Sequence, residues 1–355
     1  MSFSYFETGT QAPICLTWEL TYACNLACTH CLSSSGKRRS DELTLLEIKA
    51  LVDEWAATGV FYVNIGGGEP MVRPDFFEII DYTVASRIGV NFSTNGTMID
   101  APRARRLAAM DYVDLQVSLD GVDAQTNDPI RGAGSYAKAR RAMDHLADAG
   151  FEDFKISVVL TRGSITQLDR LQELADGYGA RLRLTRLRPS GRGVDVWDEL
   201  RPTTAQQREL HAWLLDHPDA LTGDSLFHLN AFGESLPGLS MCGAGRIVCL
   251  VDPVGDVYAC PFLIHPDFKA GNIRSDGSFS EIWARASLFD QMRTPTVAAG
   301  GCASCTAFDV CQSGCVAAKV AAGTALKGPD PECVRGAAPS LPRFTGTPLP
   351  VIAGL

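Results

Sequence analysis

The stretch Cys24-Asn-Leu-Ala-Cys28-Thr-His-Cys31 brings three cysteines together within eight residues, in the spacing CxxxCxxC. Thiolate sulfur is the usual ligand of iron–sulfur clusters. Three thiolates on a four-iron cluster leave one iron without a protein ligand, and that iron can bind a small molecule and pass it an electron. The alternatives are a zinc knot or a redox dithiol, but zinc sites usually close with a fourth Cys or His. We expect the ring of His30, which lies between two of the ligands, to point away.

Around this loop the sequence alternates apolar runs with amphipathic helical segments, which predicts a parallel sheet with right-handed crossovers. Capping boxes at Thr44-Leu-Leu-Glu47 and Ser164-Ile-Thr-Gln167 mark two helix starts. Six strands fall short of the eight that close a full barrel, so we expect an α/β fold built on an open, partial (β/α)6 TIM-like barrel. Its chemistry belongs at the carboxyl ends of the strands, where the cysteine loop falls. The predicted strands are Ile14–Thr21, Val60–Ile65, Val90–Ser93, Val113–Leu119, Lys155–Leu160 and Arg181–Leu187.

The cysteine distribution divides the chain. Of 12 cysteines, Cys15 and the loop trio come first, none follows until Cys242, and eight lie between Cys242 and Cys333, which does not fit a disulfide framework. We divide the chain into an N-terminal extension (1–13), a core barrel (14–193), a bridging region (194–241) with a helix at Thr204–Asp216, a cysteine-rich domain (242–335) and a loosely packed tail (336–355).

Charge and hydropathy exclude several classes of partner. No segment reaches about 18 uninterrupted apolar residues and no signal peptide is evident, so we expect no membrane association and a cytoplasmic location. The net charge of −9 argues against a surface that follows nucleic-acid phosphates.

The cysteine loop, followed by Gly66-Gly67-Gly68-Glu69 at the end of the second strand, resembles the radical S-adenosylmethionine (SAM) superfamily. This resemblance implies that SAM binds the open iron and is cleaved to a 5′-deoxyadenosyl radical. The Gly-Gly-Gly-Glu run then binds the amino group of SAM. The resemblance places Ser93 and Asn95 toward the ribose, Ser118 and Arg131 at the carboxylate, and His30 beside the adenine. Ordinary strand-end turns, a surface ion pair and core packing are the respective alternatives for these polar residues.

The later cysteines closely resemble the SPASM extension of radical SAM peptide-modifying enzymes, which carries two auxiliary four-iron clusters. By this resemblance, Cys242, Cys249, Cys260 and Cys315 hold the first auxiliary cluster. Cys302, Cys305, Cys311 and Cys333 hold the second. The implied cofactors are three [4Fe-4S] clusters and SAM, with Cys15 left over as a buried small apolar residue. Two structural zinc sites are the alternative.

Five stretches are similar to mycofactocin radical SAM maturases: 12–24, 31–37, 61–70, 187–193 and 241–246. This similarity implies oxidative decarboxylation of the C-terminal Tyr of a small precursor peptide ending in Val-Tyr, followed by a carbon–carbon cross-link to the Val. The implied partners are that peptide, a reduced flavodoxin- or ferredoxin-type electron donor and a separate small leader-binding chaperone. The chaperone is expected because only about a dozen residues precede the first strand, too few for a fused peptide-binding module.

Other SPASM maturases, forming thioethers or glutamate–tyrosine bonds, remain alternatives. A sulfatase-type maturase fits less well, because that branch has an Asp after the cysteine where Pro261 follows Cys260. The further polar candidates near the pocket are Asp120, Asp252 and Tyr258. A non-enzymatic metal scaffold is the alternative from another class.

Overall fold

The computed structural model describes residues 9–222, 225–237, 242–294, 297–324 and 326–336. Most of the predicted extension and tail, and parts of the bridging region, lie outside these residues. The six predicted strands are confirmed, with ends that differ by at most two residues. They are β1 (Cys15–Thr21), β2 (Tyr62–Gly67), β3 (Gly89–Thr94), β4 (Val113–Ser118), β5 (Lys155–Leu160) and β6 (Arg181–Arg186).

These six strands pair in parallel and in sequence order, and three more extend the sheet beyond β1. β7 (Val248–Val251) pairs in parallel with β1, and β8 (Asp256–Tyr258) and β9 (Lys269–Asn272) continue antiparallel. The order is β6-β5-β4-β3-β2-β1-β7-β8-β9, so the sheet is open, as expected for a half barrel. The cysteine-rich part therefore shares one sheet with the barrel.

Helices cover the outer face of the sheet. The sequence-based prediction for Thr44 is confirmed: its side chain and Glu47 form a capping box at the start of α1 (Leu45–Thr58). The prediction for Ser164 and Gln167 is wrong. Thr161, the residue directly after β5, caps the short α6 (Arg162–Ile165) by accepting from Ser164 N. Gln167 makes no side-chain cap for α7 (Leu168–Gly177).

The helices are α1 (Leu45–Thr58), α2 (Phe76–Ala85), α3 (Ala101–Ala108), α4 (Ala124–Arg131), α5 (Ser135–Asp148), α6 (Arg162–Ile165), α7 (Leu168–Gly177), α8 (Gly193–Leu200), α9 (Thr204–Asp216), α10 (Phe279–Arg285), α11 (Ser287–Arg293), α12 (Phe308–Cys311) and α13 (Val316–Ala321). The predicted helix at Thr204–Asp216 is thus confirmed. No helix in the described ranges is both long and apolar enough to cross a membrane.

The two faces of the six-stranded sheet differ in polarity. Outward side chains are apolar and pack on the helices, as Trp18 does edge-on against Trp55 of α1. A closed barrel fills its interior with branched apolar residues, but here most of the alternate, inward positions are polar, and we call this face of the open sheet the hydrophilic groove. Its residues include Cys15, Thr17, Glu19, Tyr62, Asn64, Asn91, Ser93, Asp114, Gln116, Ser118, Lys155, Ser157, Arg183 and Thr185.

Cys15 belongs to this groove, which differs from its expected role as a buried apolar residue. Its Sγ accepts a hydrogen bond from Asn64 Nδ2 at 3.1 Å, and Asn64 Oδ1 accepts from Asn91 Nδ2 at 2.9 Å. Inward polar side chains on β1, β2 and β3 are therefore linked across the strands.

Candidate active site and cluster sites

The cysteine loop leaves the carboxyl end of β1 and packs directly on the glycine run that ends β2. Gly68 N and Glu69 N donate to Thr21 O and Ala23 O at 2.8 and 2.9 Å. A Cβ at Gly68 would stand 1.9 Å from Ala23 O, so no other residue fits without moving the loop. No described atom lies within 4 Å of a Cβ built at Gly66. Gly68 therefore serves the packing of the loop, and only Gly66 offers open backbone to a ligand.

The segment after β6 also holds the cysteine loop in place by hydrogen bonds, a contact that the sequence did not reveal. Arg192 donates from N to Cys31 O (2.9 Å), from Nε to Cys28 O (2.8 Å) and from Nη1 to Ser35 O (3.0 Å). A Cβ at Gly191 would stand 2.5 Å from Cys31 O. The Gly-Arg-Gly pattern at 191–193, directly after a strand, was the available signal.

The three loop thiols fit an iron–sulfur cluster better than one metal ion. Cys24, Cys28 and Cys31 form no disulfide, and Cys28 is buried. Burial raises the pKa values of the Cys24 and Cys28 thiols, and a bound cation would favour their thiolate forms. Among the described residues, no three His, Cys, Asp or Glu side chains converge as ligands of a single metal ion do.

Glu69 joins the ends of β2 and β3. Its Oε1 accepts from Thr94 Oγ1 (2.9 Å) and Met71 N (3.3 Å), and its Oε2 accepts from Asn95 N (2.7 Å). The carboxyl is fully buried, and this burial raises its pKa to about 7 despite the hydrogen bonds.

Two of the residues predicted to contact SAM, His30 and Arg131, both contact the carboxylate of Asp120. His30 Nε2 and Arg131 Nε both lie 2.6 Å from Asp120 Oδ2, and Val159 N donates to its Oδ1 at 2.8 Å. The Arg131 guanidinium and His30 hold the pKa of Asp120 well below its usual range. Within the described structure, His30 Nδ1 is buried and has no hydrogen-bond partner. His30 is therefore fixed through one nitrogen, while the other has no hydrogen-bond partner among the described residues.

The remaining predicted contacts lie on β3, β4 and the turns after them. Asn95 Nδ2 donates to Asn25 Oδ1 of the cysteine loop at 2.8 Å, so Asn95 links β3 to the loop. Ser93 accepts a hydrogen bond from Gln116 Nε2, and Ser118 ends β4 half-buried.

A group of acidic and phenolic side chains lies beside this site. Tyr22 OH donates to Asp252 Oδ2 at 2.6 Å, while Glu19 Oε2 is buried with no hydrogen-bond partner in the described structure. Burial, and then the charge of Asp252, raises the pKa of Glu19 to about 8. Asp252 and Tyr258 were candidates from the sequence, whereas Glu19 and Tyr22 were missed. A glutamate inside an apolar strand was the available signal.

Four of the later cysteines line one partly open cavity. Cys302, Cys305, Cys311 and Cys333 all face it, beside Asp330. The cavity and its four sulfurs fit a four-iron cluster with complete thiolate ligation.

The other four of the later cysteines, Cys242, Cys249, Cys260 and Cys315, do not all lie close together. Cys242 and Cys315 are the thiols whose proximity, after burial, raises the pKa of Cys260. Among the described residues, Cys15 and Arg293, and none of the other seven later cysteines, are the charged or thiol groups that shift the pKa of Cys249, which burial raises most. Three of the four cysteines predicted for the first auxiliary cluster therefore lie together, and Cys249 lies apart.

Comparison with known proteins places the chain among radical SAM enzymes. The profile of the radical SAM superfamily matches residues 18–173, and that of the SPASM iron–sulfur cluster-binding domain matches residues 242–306. The chain is 60% identical to the mycofactocin maturase MftC of Mycobacterium ulcerans, over 97% of this chain and 94% of that protein. It is 32% identical to the AdoMet-dependent heme synthase of Methanosarcina barkeri, over 92% and 97% of the two chains.

The fold of the chain is consistent with this family assignment. The crystal structure of Streptococcus suis SuiB bound to S-adenosylmethionine superposes with a TM-score of 0.74 at 19% identity, covering 91% of this chain and 77% of that one. With its cysteine loop at the carboxyl edge of an open parallel sheet, and a cysteine-rich extension on the same sheet, the chain belongs to the mycofactocin maturase family of radical SAM/SPASM enzymes.

Proposed function

We propose that this enzyme matures a ribosomally made precursor peptide in mycofactocin biosynthesis, by decarboxylating its C-terminal Tyr and cross-linking the product to the penultimate Val. The observation that carries the proposal is the 60% identity to a mycofactocin maturase along nearly the whole chain. The hydrophilic groove below the cysteine loop supports it, because a peptide backbone brings polar groups that need hydrogen-bond partners.

The proposed cofactors are three [4Fe-4S] clusters and SAM. Cys24, Cys28 and Cys31 hold the cluster that, when SAM is bound to it, supplies the electron for cleavage to the 5′-deoxyadenosyl radical. Two auxiliary clusters occupy the cysteine-rich part, and the thiols that converge there support this: Cys242, Cys260 and Cys315 in one group, and Cys302, Cys305, Cys311 and Cys333 in the other.

The residues around the loop hold SAM in this proposal. The run Gly66-Gly67-Gly68-Glu69 receives the amino group, with open backbone at Gly66. Arg131, oriented by Asp120, offers its remaining donors to the SAM carboxylate, with Ser118 nearby. The unpartnered Nδ1 of His30 faces the adenine, and Ser93 and Asn95 flank the ribose.

The proposed reaction proceeds in two radical steps, and atoms and electrons balance in each. In the first, the 5′-deoxyadenosyl radical removes a hydrogen atom from the Tyr β-carbon. The carboxylate leaves as carbon dioxide, a carbon–carbon double bond forms, and one electron passes to an auxiliary cluster. In the second, a hydrogen atom leaves the Val β-carbon, which bonds to the alkene and closes a five-membered lactam. The remaining carbon radical takes up one electron and one proton.

The proposed partners follow from this chemistry. The substrate is a small peptide ending in Val-Tyr, and a separate small chaperone binds its leader. A flavodoxin- or ferredoxin-type protein supplies the electrons for SAM cleavage. The solved structure titled SuiB bound to precursor peptide SuiA shares this fold, with a TM-score of 0.72.

The test is anaerobic incubation with a synthetic precursor ending in Val-Tyr, the chaperone, SAM and dithionite, followed by mass spectrometry. The proposal predicts loss of the mass of formic acid and then an isomeric, cross-linked product, with 5′-deoxyadenosine formed in both events. SAM cleavage with an unmodified peptide points instead to another SPASM maturation, such as thioether or glutamate–tyrosine coupling. Complete turnover without the chaperone contradicts its proposed role.

A further inference from the structure

Cys249 lies inside a strand, on the face opposite the site it was expected to serve. In β7 it is paired with Leu16 of β1, so both side chains project from the same face of the sheet. Leu16 and Cys249 are both 0% exposed. Cys260 and Cys315 are buried as well, so Cys249 differs from them in the face of the sheet that it occupies and not in burial.

The opposite face of β7 leads toward Cys260. Leu250, the next residue in β7, pairs with Tyr258 of β8, and Cys260 follows two residues after the end of that strand. Because side chains alternate along a strand, Leu250 and Tyr258 share the face that Cys249 does not.

A hydrogen bond ties the Cys242 turn to the Cys260 segment. Gly245 N, three residues after Cys242, donates to Ala259 O at 2.8 Å. Cys242 and Cys315 are also the thiols whose charges, after burial, raise the pKa of Cys260, which indicates that Cys315 lies in the same group.

We propose that the first auxiliary cluster is held by only three cysteines of this chain, Cys242, Cys260 and Cys315, and that Cys249 is a core residue. This inference rests on the proposed function, which supplies the cluster. Rotating Cys249 to the other face would shift β7 by one residue against β1 and turn the buried Val251 toward the groove. One iron of the first auxiliary cluster therefore lacks a cysteine and has a position for an external ligand. The second auxiliary cluster has four thiols and no such position.

The test is the iron content of anaerobically reconstituted protein. We expect wild type to hold about 12 irons, four for each cluster. Cys249→Ala should keep that iron content and the electron paramagnetic resonance signals of both auxiliary clusters. The same is expected of Cys249→Val, whose side chain fills the buried position better than alanine does. Cys260→Ala loses about four irons and one signal. Cys15→Ala is the matched control in the neighbouring strand.

A failure of the proposed function and a failure of the three-cysteine site give different results. Wild type with far fewer than about 12 irons contradicts the proposed number of clusters. The three-cysteine site is overturned if wild type holds all its iron but Cys249→Ala loses as much iron as Cys260→Ala does. It is also overturned if Cys260→Ala keeps all its iron. In a Cys24→Ala/Cys28→Ala/Cys31→Ala background, cyanide should change the spectrum of the first auxiliary cluster, and an unchanged spectrum contradicts the open iron.

Discussion

The guanidinium of Arg186, the last residue of β6, pairs with the carboxylate of Asp330, 144 residues later in the chain. Their closest atoms lie 2.6 Å apart, both side chains are buried, and Glu332 joins the same guanidinium at 2.5 Å. Asp330 also accepts from Cys315 N at 2.9 Å and lines the cavity of the second cysteine group. One buried arginine thus ties the open edge of the barrel to both groups of thiols.

Replacing Arg186 should therefore destabilise the protein and its auxiliary clusters. Arg186→Met leaves Asp330 buried without its countercharge, which costs about 3–5 kcal/mol. We expect a lower temperature of anaerobic thermal unfolding and a loss of iron. Arg106→Met, which breaks an exposed pair with Asp81, is the control and should cost less than about 1 kcal/mol. Equal effects of the two substitutions would contradict the role of Arg186.

Substitutions in the glycine run should separate loop packing from ligand access. Gly68→Ala puts a methyl group 1.9 Å from Ala23 O, so it displaces the cysteine loop and should abolish iron binding at Cys24, Cys28 and Cys31. Gly66→Ala meets no described atom and should retain that iron. Iron analysis of variants that also lack Cys260 and Cys302 isolates this cluster. Retention of iron by Gly68→Ala would show that the loop adapts.

Arg131→Lys should weaken SAM binding. Lysine keeps the charge but loses the planar fork that pairs with Asp120 and a second carboxylate. With charged hydrogen bonds worth about 1.5–3 kcal/mol, we expect an increase in the dissociation constant of about 10- to 100-fold. Anaerobic titration with SAM measures it, and the exposed Arg103→Lys is the matched control. Unchanged affinity would leave Arg131 as a structural ion pair.

Glu19 should make the stability depend on pH. Its pKa is raised from 4.5 to about 8 in the folded protein, so the folded state holds this proton more tightly than the unfolded chain does. The stabilisation is fully present below pH 4.5 and is lost as the pH rises through about 8. From pH 6 to 8 we expect the unfolding temperature of wild type to fall more steeply than that of Glu19→Gln.

The exposed Glu281→Gln is the control for this pH series, because hydrogen bonds from Ser278 lower the pKa of Glu281 and it does not titrate there. If wild type and Glu19→Gln give parallel curves, Glu19 is ionised throughout the range.

The strands were predictable because their signals are local. An apolar run bounded by turn residues identifies β1–β6 within two residues, and Thr44 with Glu47 identifies the start of α1. The capping box assigned to Ser164 failed because Thr161, closer to the strand end, is itself the cap. Thr161 accepts from Ser164 N, and Ser164 Oγ accepts from Thr161 N rather than from the amide of Gln167.

The cysteine loop was recognisable from its spacing, but its supports were not. Arg192 reaches the loop from 164 residues away along the chain, and Glu19 meets Asp252 only because β7 pairs with β1. The face on which Cys249 lies also depends on that strand register, which residue spacing alone does not encode.

The pairing of β1 with β7 has a mechanical consequence. The SAM-cleaving loop follows one strand and the turn carrying Cys242 precedes the other, so hydrogen bonds between adjacent strands join their supports. Electron tunnelling rates fall steeply with separation, and a shared sheet resists hinge bending between its members. In the proposed reaction, the distance over which an electron passes between the SAM-cleaving cluster and the first auxiliary cluster is thus set by the pairing of β1 with β7.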